Sequence, residues 1–443
     1  MAGAAELKQL ITEETAQLEQ EGRDIDVRAW REKIQSCGGG KEALMRIYAQ
    51  MSALPMRRDC AYTEPTELED IERESGMPED EPFAPAEREY FRGAWLGRCI
   101  GCALGQPVEG WGSPDIVKWY EDAGKYPVRY YVPAVSGEKR NERLTTDEKI
   151  NGMPFDDDTR FTVINYLLMK EKGFDFDSWD VAQHWTYKLA FRHVFTAESQ
   201  GYLNFINQDE CGHWSKPENA WEVMKRNGVS TYLNPYREWI GAQIRADAFG
   251  YIAAGRPKLA ARLSWRDAAF THVKNGVYGE MFFAAFIAAA FRYKDLQTCF
   301  EKALAAVPKK SRFYETALHA RELALSDMPR GELRDTLFAE GKKYSWVHTL
   351  NNAAYCIAAM FRYPADFREA VAFAVECGMD TDCNGATTGS CMGALLGEGA
   401  IPADLKNALN DRFSVQVSPY DDYPITRFAD ECKELCDKLG EKG

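Results

Sequence analysis

Two groups of aspartates stand far apart in the sequence, and each has the residue type and spacing of a metal site. The first is a run of three and the second a pair separated by one residue: Asp156, Asp157 and Asp158, then Asp380 and Asp382. Carboxylate oxygens are the ligands that Mg²⁺, Mn²⁺ and Ca²⁺ prefer, whereas zinc favours nitrogen and sulfur. Five carboxylates share a small space only if cations neutralise them. Together the two groups predict a site for hard divalent cations.

Each group is also predicted to lie at the start of a helix, which leaves a simpler interpretation open. Apolar residues at helical spacing follow Asp158, and a glycine-rich helix follows Asp382. Carboxylates at such positions cap free backbone N–H groups and lie at the positive end of the helix dipole. Taken singly, either group could therefore be a helix cap with solvated charges.

Glycines recur at every fourth position in two predicted helices. The members are Gly93, Gly97, Gly101 and Gly105 in one helix, and Gly385, Gly389, Gly393 and Gly397 in the other. A stripe of small residues on one helix face lets another helix approach closely. Because each glycine weakens a helix by about 1 kcal/mol relative to alanine, four in register indicate that close packing offsets the loss. Glu109 follows the end of the first series.

Composition and charge exclude several classes of protein. The chain has 443 residues, of which 45% are hydrophobic, and its net charge is −14. Such a charge disfavours nucleic-acid backbones and anionic membranes as bulk partners. The most apolar stretch, Met281–Phe291, is too short to span a bilayer. Because the N-terminus lacks a signal-peptide pattern, the twelve cysteines indicate reduced thiols in a cytoplasmic protein.

The first 88 residues are predicted to form a helical extension that ends in an acidic linker. Helical spacing predicts two or three helices in residues 5–55, and prolines among many acidic residues predict an exposed linker in residues 61–86. The predicted domains are therefore residues 1–88 and residues 89–443. The extension could be a helical clamp on the main body, or an oligomerisation arm that makes the protein a homo-oligomer.

The main domain is predicted to be helical. Helical periodicity recurs from Tyr90 onwards, while strand signals are weak throughout. We therefore predict an all-α fold, a many-helix orthogonal bundle. A long loop is predicted over Tyr202–Trp214, where it could cover the site or be an ordinary surface loop.

Three motifs, taken in their order, resemble a known family. They are DDDT at residues 156–159, an H-x₃-G-x₂-G segment at residues 272–279 and GMDTDCNGA at residues 378–386. Together they resemble the ADP-ribosylglycohydrolase family, of the dinitrogenase-reductase-activating glycohydrolase type. The resemblance covers roughly residues 90–405 and leaves the N-terminal extension outside it. It implies an all-helical orthogonal bundle that holds two divalent cations, Mg²⁺ or Mn²⁺.

The resemblance also implies roles for particular residues. The implied metal ligands are Asp156, Asp157, Asp158, Asp380 and Asp382. The implied pocket for phosphate and ribose is lined by His272, Gly276 and Gly279. The early glutamate of the family falls on Glu109, and either Glu109 or Asp158 could serve as the catalytic base. Asn384 directly follows the second aspartate group, where it could face the substrate or only cap the helix.

These expectations lead to a metal-dependent hydrolase that cleaves an N- or O-glycosidic bond to ribose. Such a reaction passes through an oxocarbenium-like state, and two divalent ions can bind ribose hydroxyls and activate a water. The substrate would be an ADP-ribosylated target or a small ADP-ribosyl or ribosyl compound. Three departures from the family pattern keep a second hypothesis open, that of an ADP-ribose or nucleotide binder without turnover. Asp156 replaces a neutral ligand, Cys383 replaces an oxygen ligand, and Cys102 stands where the family often has aspartate.

Overall fold

Helices make up almost all of the regular structure, and the all-α prediction is confirmed. The structure is a computed structural model in which residues 4–38, 40–134, 145–207 and 215–441 are described. Within these residues the chain forms 21 α-helices, a few short 3₁₀ turns and one antiparallel pair of two-residue strands. None of the helices in this described part is both long and apolar enough to cross a membrane.

The helices fall into a short N-terminal set and a longer main set. The first set is α1 (Ala4–Gln20), α2 (Val27–Ser36), α3 (Lys41–Ser52) and α4 (Leu68–Ser75). The main set is α5 (Arg88–Gly105), α6 (Ser113–Asp122), α7 (Asp157–Lys172), α8 (Ser178–Lys188), α9 (Thr196–Ile206), α10 (Ala220–Arg226), α11 (Asp247–Ile252), α12 (Pro257–Ala268), α13 (Lys274–Tyr293), α14 (Leu296–Leu304), α15 (Arg312–Leu325), α16 (Arg330–Gly341), α17 (Thr349–Arg362), α18 (Phe367–Glu376), α19 (Thr381–Leu396), α20 (Ala403–Ala408) and α21 (Ile425–Gly440). Strands β1 (Arg412–Phe413) and β2 (Tyr423–Pro424) pair before α21.

Helix α13 lies at the centre of the bundle. Its residues are buried on every face from Asn275 to Phe291, as expected for a helix that is apolar all round. Helices α5 and α19 are buried almost as completely. The predicted loop over Tyr202–Trp214 is helical as far as Ile206, as the end of α9, and residues 208–214 lie outside the described residues.

The two glycine series pack against each other. A Cβ added to Gly101 would overlap the backbone carbonyl of Gly385, and one added to Gly97 would overlap that of Gly389. The helices run antiparallel, since Gly105 at the end of α5 lies against Thr381 at the start of α19. The hydroxyl of Thr381 donates a hydrogen bond to the carbonyl of Gly105 at 2.8 Å. The glycines therefore bring the C-terminus of α5 and the N-terminus of α19 to the same place.

The N-terminal helices have a small apolar core of their own. It consists of Leu7, Ile11, Leu18, Ile34, Leu44, Ile47 and Met51, and it is separate from the main core. Leu233 of the main domain packs at its edge. Helices α1 to α3 are thus joined to the main domain by few apolar contacts, whereas Ile71 of α4 belongs to the main core.

The segment predicted to be an exposed acidic linker is attached to the main domain along its length. Helix α4 lies within it, and its acidic residues pair with bases of the main domain. The pairs include Glu64 with Arg312, Glu72 with Arg262 and Glu79 with Lys258. Many of these residues are exposed, but the segment forms a strap over the main domain because several of its carboxylates meet bases of that domain.

Candidate active site

The two aspartate groups meet at one pocket. A cavity of about 390 Å³ opens between the end of α5, the start of α7 and the start of α19. Six carboxylates line it, namely Asp156, Asp157, Asp380, Asp382, Glu109 and Glu198. Asp158 is fully buried and is not one of the lining residues. The acidic residues singled out in the sequence are therefore brought together by the fold.

The first group lies at the N-terminus of α7, and Asp156 is the N-cap residue. Its Oδ1 accepts a hydrogen bond from the backbone N–H of Asp158 at 3.0 Å. Its Oδ2 accepts a hydrogen bond from Nε2 of Gln106 at 2.9 Å, and Oε1 of Gln106 accepts one from the hydroxyl of Thr145 at 3.1 Å. Asp156 thus caps the helix and faces the pocket at once, so the two interpretations of the sequence are compatible.

A tight turn directs the second group into the pocket. Gly378 and Met379 both have positive φ, at 83° and 68°. This conformation is strained for a residue with a side chain, by about 1–3 kcal/mol. The turn is fixed by two backbone hydrogen bonds of 2.8 Å, from Met379 N–H to the Trp111 carbonyl and from Gly110 N–H to the Met379 carbonyl. The residues just after α5 therefore determine where Asp380 begins α19.

The pocket carboxylates are crowded. Oxygen atoms of Glu109, Asp380 and Asp382 lie within 4.8 Å of one another. Burial raises the pKa of Asp382 well above its usual range, and Glu109 and Asp380 raise it further. Burial and the neighbouring Asp156 raise the pKa of Asp157 in the same way. Since like charges at this spacing disfavour ionisation, the pocket favours a ligand that brings positive charge.

Asp158 is held from behind by a buried arginine. Arg98, on α5, donates from Nη2 to Oδ1 of Asp158 at 3.2 Å and from Nη1 to Oδ2 of Asp247 at 2.7 Å. Arg98 also donates to the backbone carbonyl of Asp158 from Nε and Nη2. The thiol of Cys383 donates to Oδ2 of Asp158 at 3.2 Å. Both carboxylate oxygens of Asp158 therefore have partners inside the chain.

An aromatic wall of the pocket is formed by two chain segments. It includes Trp239–Gly241 and Trp346–Val347. The segments are joined by a hydrogen bond of 2.8 Å from the N–H of Ile240 to the carbonyl of Val347. Trp346 is 42% exposed, at the mouth of the pocket. The pocket lining thus combines carboxylates with aromatic rings, which suits a ligand with both a hydroxylated and a planar part.

Glu198 is the sixth carboxylate of the lining, and it is buried. Its Oε1 accepts a hydrogen bond from Nη1 of Arg245 at 2.7 Å. Gly241 leaves it room, because a Cβ at that position would overlap the carboxylate. Burial raises the pKa of Glu198, and Arg245 opposes that shift.

Four residues predicted to bind substrate lie outside the pocket lining. Gly276 packs against Arg237 and His272, Gly279 packs against Thr349, and His272 is fully buried with its Nδ1 2.8 Å from the Thr271 hydroxyl. Burial, reinforced by Arg245, lowers the pKa of His272 well below its usual value. These positions support the wall from behind, and direct substrate binding by His272, Gly276 and Gly279 stays a prediction.

Asn384, the fourth, also lies behind the pocket. Its Nδ2 donates to Oδ1 of Asn352 at 2.8 Å, and the same oxygen accepts the backbone N–H of Asp380 at 3.2 Å. Nδ2 of Asn352 donates to the carbonyls of Trp346 and His348 at 2.9 Å. The pair of asparagines therefore couples the start of α19 to the aromatic wall, and substrate contact by Asn384 stays a prediction.

Several residues of the site were not predicted from the sequence. Arg98 had a signal, because a charged residue in an apolar glycine-rich helix requires a buried partner. Asn352, Glu198 and Trp239 carried no such signal, because each stands outside any motif. Their importance follows only from the contacts that the fold gives them.

Comparison with known families agrees with this geometry. The model of the family described as ADP-ribosylglycohydrolase matches residues 84–442. The chain belongs to the ADP-ribosylglycohydrolase family. It is therefore a glycosyl hydrolase of that family, and the match leaves only the N-terminal extension uncovered. The finer assignment to the dinitrogenase-reductase-activating type stays a prediction.

One solved structure aligns with much of the chain. It is described as an ADP-ribosylglycohydrolase-related protein complex and aligns with 80% of this chain and 98% of its own, with 20% sequence identity and a TM-score of 0.49. The search of curated proteins finds no match. The family assignment accordingly rests on the family model.

Proposed function

We propose that the chain is a metal-dependent hydrolase that cleaves an N- or O-glycosidic bond to ribose in an ADP-ribosyl compound. The observation that carries this proposal is the meeting of six carboxylates from four chain segments in an aromatic-walled pocket. The substrate is an ADP-ribosylated target or a small ADP-ribosyl or ribosyl compound. The eleven cysteines of the described residues are unpaired, which supports a reducing, cytoplasmic location.

The described residues fit a divalent cation. Glu109, Asp380 and Asp382 offer a set of oxygen atoms without sulfur. Oδ1 of Asp382 is buried and has no hydrogen-bond partner among these residues, a condition that costs about 1–3 kcal/mol. Asp380 and Asp382 of this set would hold one Mg²⁺ or Mn²⁺, and Asp156 and Asp157 would hold a second. When bound, such ions stabilise negative charge as Lewis acids and lower the pKa of a coordinated water.

Two thiols lie close to the proposed cation sites. Cys383 and Cys102 each form a candidate ligand group with buried aspartates. Burial raises the pKa of both thiols well above the usual value. Since soft sulfur is a poor ligand for hard cations such as Mg²⁺, we assign hydrogen bonding to Cys383 and no ligand role to either residue.

Among the carboxylates, we assign the catalytic base to Glu109. It is exposed in the pocket, while the lining aspartates are buried or half-buried. A general base must reach the proton that it takes, here from the water that attacks the anomeric carbon. Asp158 was the other candidate, but its oxygens are bonded to Arg98 and Cys383. Its proposed role is to position the start of α7.

The aromatic wall is proposed to bind the planar part of the substrate. Trp346 and Trp239 line the pocket, and stacking on a base contributes about 1–3 kcal/mol per base. The ribose would then face the carboxylates, where its hydroxyls meet the cations.

The test is turnover and thermal unfolding of wild type and two variants. Asp157→Ala removes a pocket carboxylate, and Asp327→Ala removes an exposed aspartate as the matched control. Each protein is assayed with Mg²⁺, with Mn²⁺ and with chelator, on an ADP-ribosyl-guanidine and an ADP-ribosyl-hydroxyl substrate. We expect metal-dependent release of ADP-ribose by wild type and by the control only. A different outcome would instead establish a binder. Metal would raise the melting temperature of wild type and wild type would bind ADP-ribose without turnover, while Asp157→Ala would lose both the metal effect and the ADP-ribose affinity.

That second candidate, an ADP-ribose or nucleotide binder without turnover, is favoured by one observation. The thiol of Cys383 donates a hydrogen bond to Oδ2 of Asp158 at 3.2 Å. At the position of Cys383 the family pattern has a residue with an oxygen ligand. Cys383→Thr separates the two candidates, because it should increase turnover if the thiol only weakens a working site. If neither wild type nor Cys383→Thr shows turnover, the binder is supported.

A further inference from the structure

Helix α1 of the N-terminal extension contacts three consecutive residues of the main domain. Glu14 forms two hydrogen bonds with Arg237, from Nη1 at 2.8 Å and Nη2 at 2.9 Å, and Glu21 accepts one from Nε of Arg237 at 2.8 Å. Gln17 donates to Oε2 of Glu238 at 2.8 Å. All of these side chains are buried. One face of α1, together with Glu21 just after its end, thus binds Arg237 and Glu238 by directional polar contacts.

The residue before them lies beside the same helix. Burial, together with the neighbouring carboxylate of Glu13, raises the pKa of Tyr236. The ring of Tyr236 packs on that of Trp239, with centroids 4.5 Å apart. Residues 236–238 therefore lie against α1 on one side.

On the other side, these residues continue directly into the pocket wall. Trp239 and Ile240 line the pocket. The N–H of Thr349 donates to the carbonyl of Glu238 at 3.1 Å, and Trp239 pairs with His348 in a β-bridge. A displacement of residues 236–238 would consequently move both halves of the aromatic wall.

The contact between α1 and this segment is made by directional polar side chains. A clamp that only adds stability would not need contacts of this kind. The apolar side chains of α1, including Leu7, Ile11 and Leu18, pack inside the extension's own core. The buried charges of Glu14, Glu21 and Arg237 gain little net stability, because their desolvation offsets their attraction. Buried ion pairs of this kind fix geometry well, since an unpaired member is strongly unfavourable.

We propose that helix α1 is a positioning element of the active site, which fixes the aromatic wall through Arg237 and Glu238. This inference rests on the proposed function, because it takes the pocket as the substrate site. The extension lies outside the residues that the family model matches, so this chain adds a support of its own to the pocket. Glu14, Gln17 and Glu21 are positioning residues, and Trp239 is the residue that they position.

The test compares two double variants of the full chain. Glu14→Gln/Glu21→Gln removes both charges that hold Arg237. Glu19→Gln/Glu42→Gln removes two exposed charges from the same extension and is the matched control. Amide hydrogen exchange is measured at residues 236–241, 346–349 and 381–396, together with KM, kcat and melting temperature. In the first variant we expect exchange at Trp239 and Ile240 to increase about tenfold, as local opening becomes easier.

The kinetic expectation is specific to positioning. KM should rise about tenfold while kcat changes less than about twofold, because the wall binds substrate remote from the reacting carboxylates. Exchange within residues 381–396 should match wild type. A lower melting temperature with KM and exchange at residues 236–241 equal to the control would show that α1 is only a clamp, and would overturn the proposal.

A second variant keeps the test decisive if the first does not fold. Gln17→Met keeps the side-chain length and removes the hydrogen bonds that Gln17 donates to Glu238 and to Glu21. It should increase exchange at Ile240 about threefold without a matching change in residues 381–396, and an unchanged rate would overturn the proposal. Hydrogen exchange does not need turnover. If wild type hydrolyses no ADP-ribosyl substrate, the proposed function fails while the positioning of the wall is still decided by exchange.

Discussion

A single methyl group at the crossing of α5 and α19 should separate the two helices. Gly101 lies at this crossing, and a Cβ at that position would be 2.9 Å from the backbone nitrogen of Ala386 and closer still to the carbonyl of Gly385. Ordinary contact begins near 3.4 Å. Relief of even the more distant contact therefore requires the backbones to part by about 0.5 Å, because backbone atoms cannot rotate away as a side chain does.

The magnitude follows from two opposing effects. Overpacking a buried site costs about 1–3 kcal/mol, and sometimes more. Alanine is better than glycine in a helix by about 1 kcal/mol. Because the clash is with backbone, the cost should lie at the upper end of its range. Gly101→Ala is therefore expected to lower the free energy of unfolding by about 2 kcal/mol.

The assay is denaturant unfolding of wild type, Gly101→Ala and Gly331→Ala. Gly331 is a helical glycine whose added Cβ would meet only the flexible end of Arg334, at 3.8 Å. This control should be as stable as wild type, or more stable by up to about 1 kcal/mol. The midpoint of Gly101→Ala should shift with an unchanged slope, which signals a change in stability alone. Equal midpoints for the two variants would refute the reasoning about the crossing.

Three further predictions concern the site. Arg98→Met should cost about 3–5 kcal/mol in unfolding free energy, because Asp158 and Asp247 lose their buried base; a loss below about 1 kcal/mol would contradict this. Folding raises the pKa of Asp382, so the folded state loses stability as pH rises above the ordinary pKa of an aspartate. Metal-free Asp382→Asn should therefore melt at a higher temperature than wild type, and the difference should be larger at pH 8 than at pH 5. A difference that becomes smaller as pH rises would refute this. Trp346→Ala should raise KM about fivefold or more with stability within about 0.5 kcal/mol of wild type; an unchanged KM would remove Trp346 from substrate binding.

Local patterns in the sequence were enough to predict the helices, the two acidic groups and the close approach of glycine helices. The period of the apolar residues fixes helix formation, and the glycine spacing makes sense only if backbone meets backbone. The sequence shows two such series but not that they are partners. Their pairing, Gly101 with Gly385, depends on the register between distant segments, which no local pattern contains.

The remaining parts of the site depend on contacts between residues that are isolated in the sequence. Asn352 is one asparagine within an apolar helix, and nothing local indicates that its amide joins Asp380 to Trp346. The acidic segment of residues 61–86 has the composition of a linker, but its charges meet bases of the main domain. The composition of this segment indicates exposed residues, but it does not indicate attachment to the main domain, because attachment depends on the surface of that domain.

Helix α5 explains why three acidic segments converge. Its glycines set the register of α19, so that Gly105 lies against Thr381 and the turn at Met379 is bonded to the residues that follow α5. Arg98, two turns before the end of the same helix, donates to the backbone carbonyl of Asp158 and so fixes the start of α7. Glu109 then follows α5 into the pocket. One helix therefore positions Glu109 and both aspartate groups, and the close glycine crossing is a condition for the site as much as for the fold.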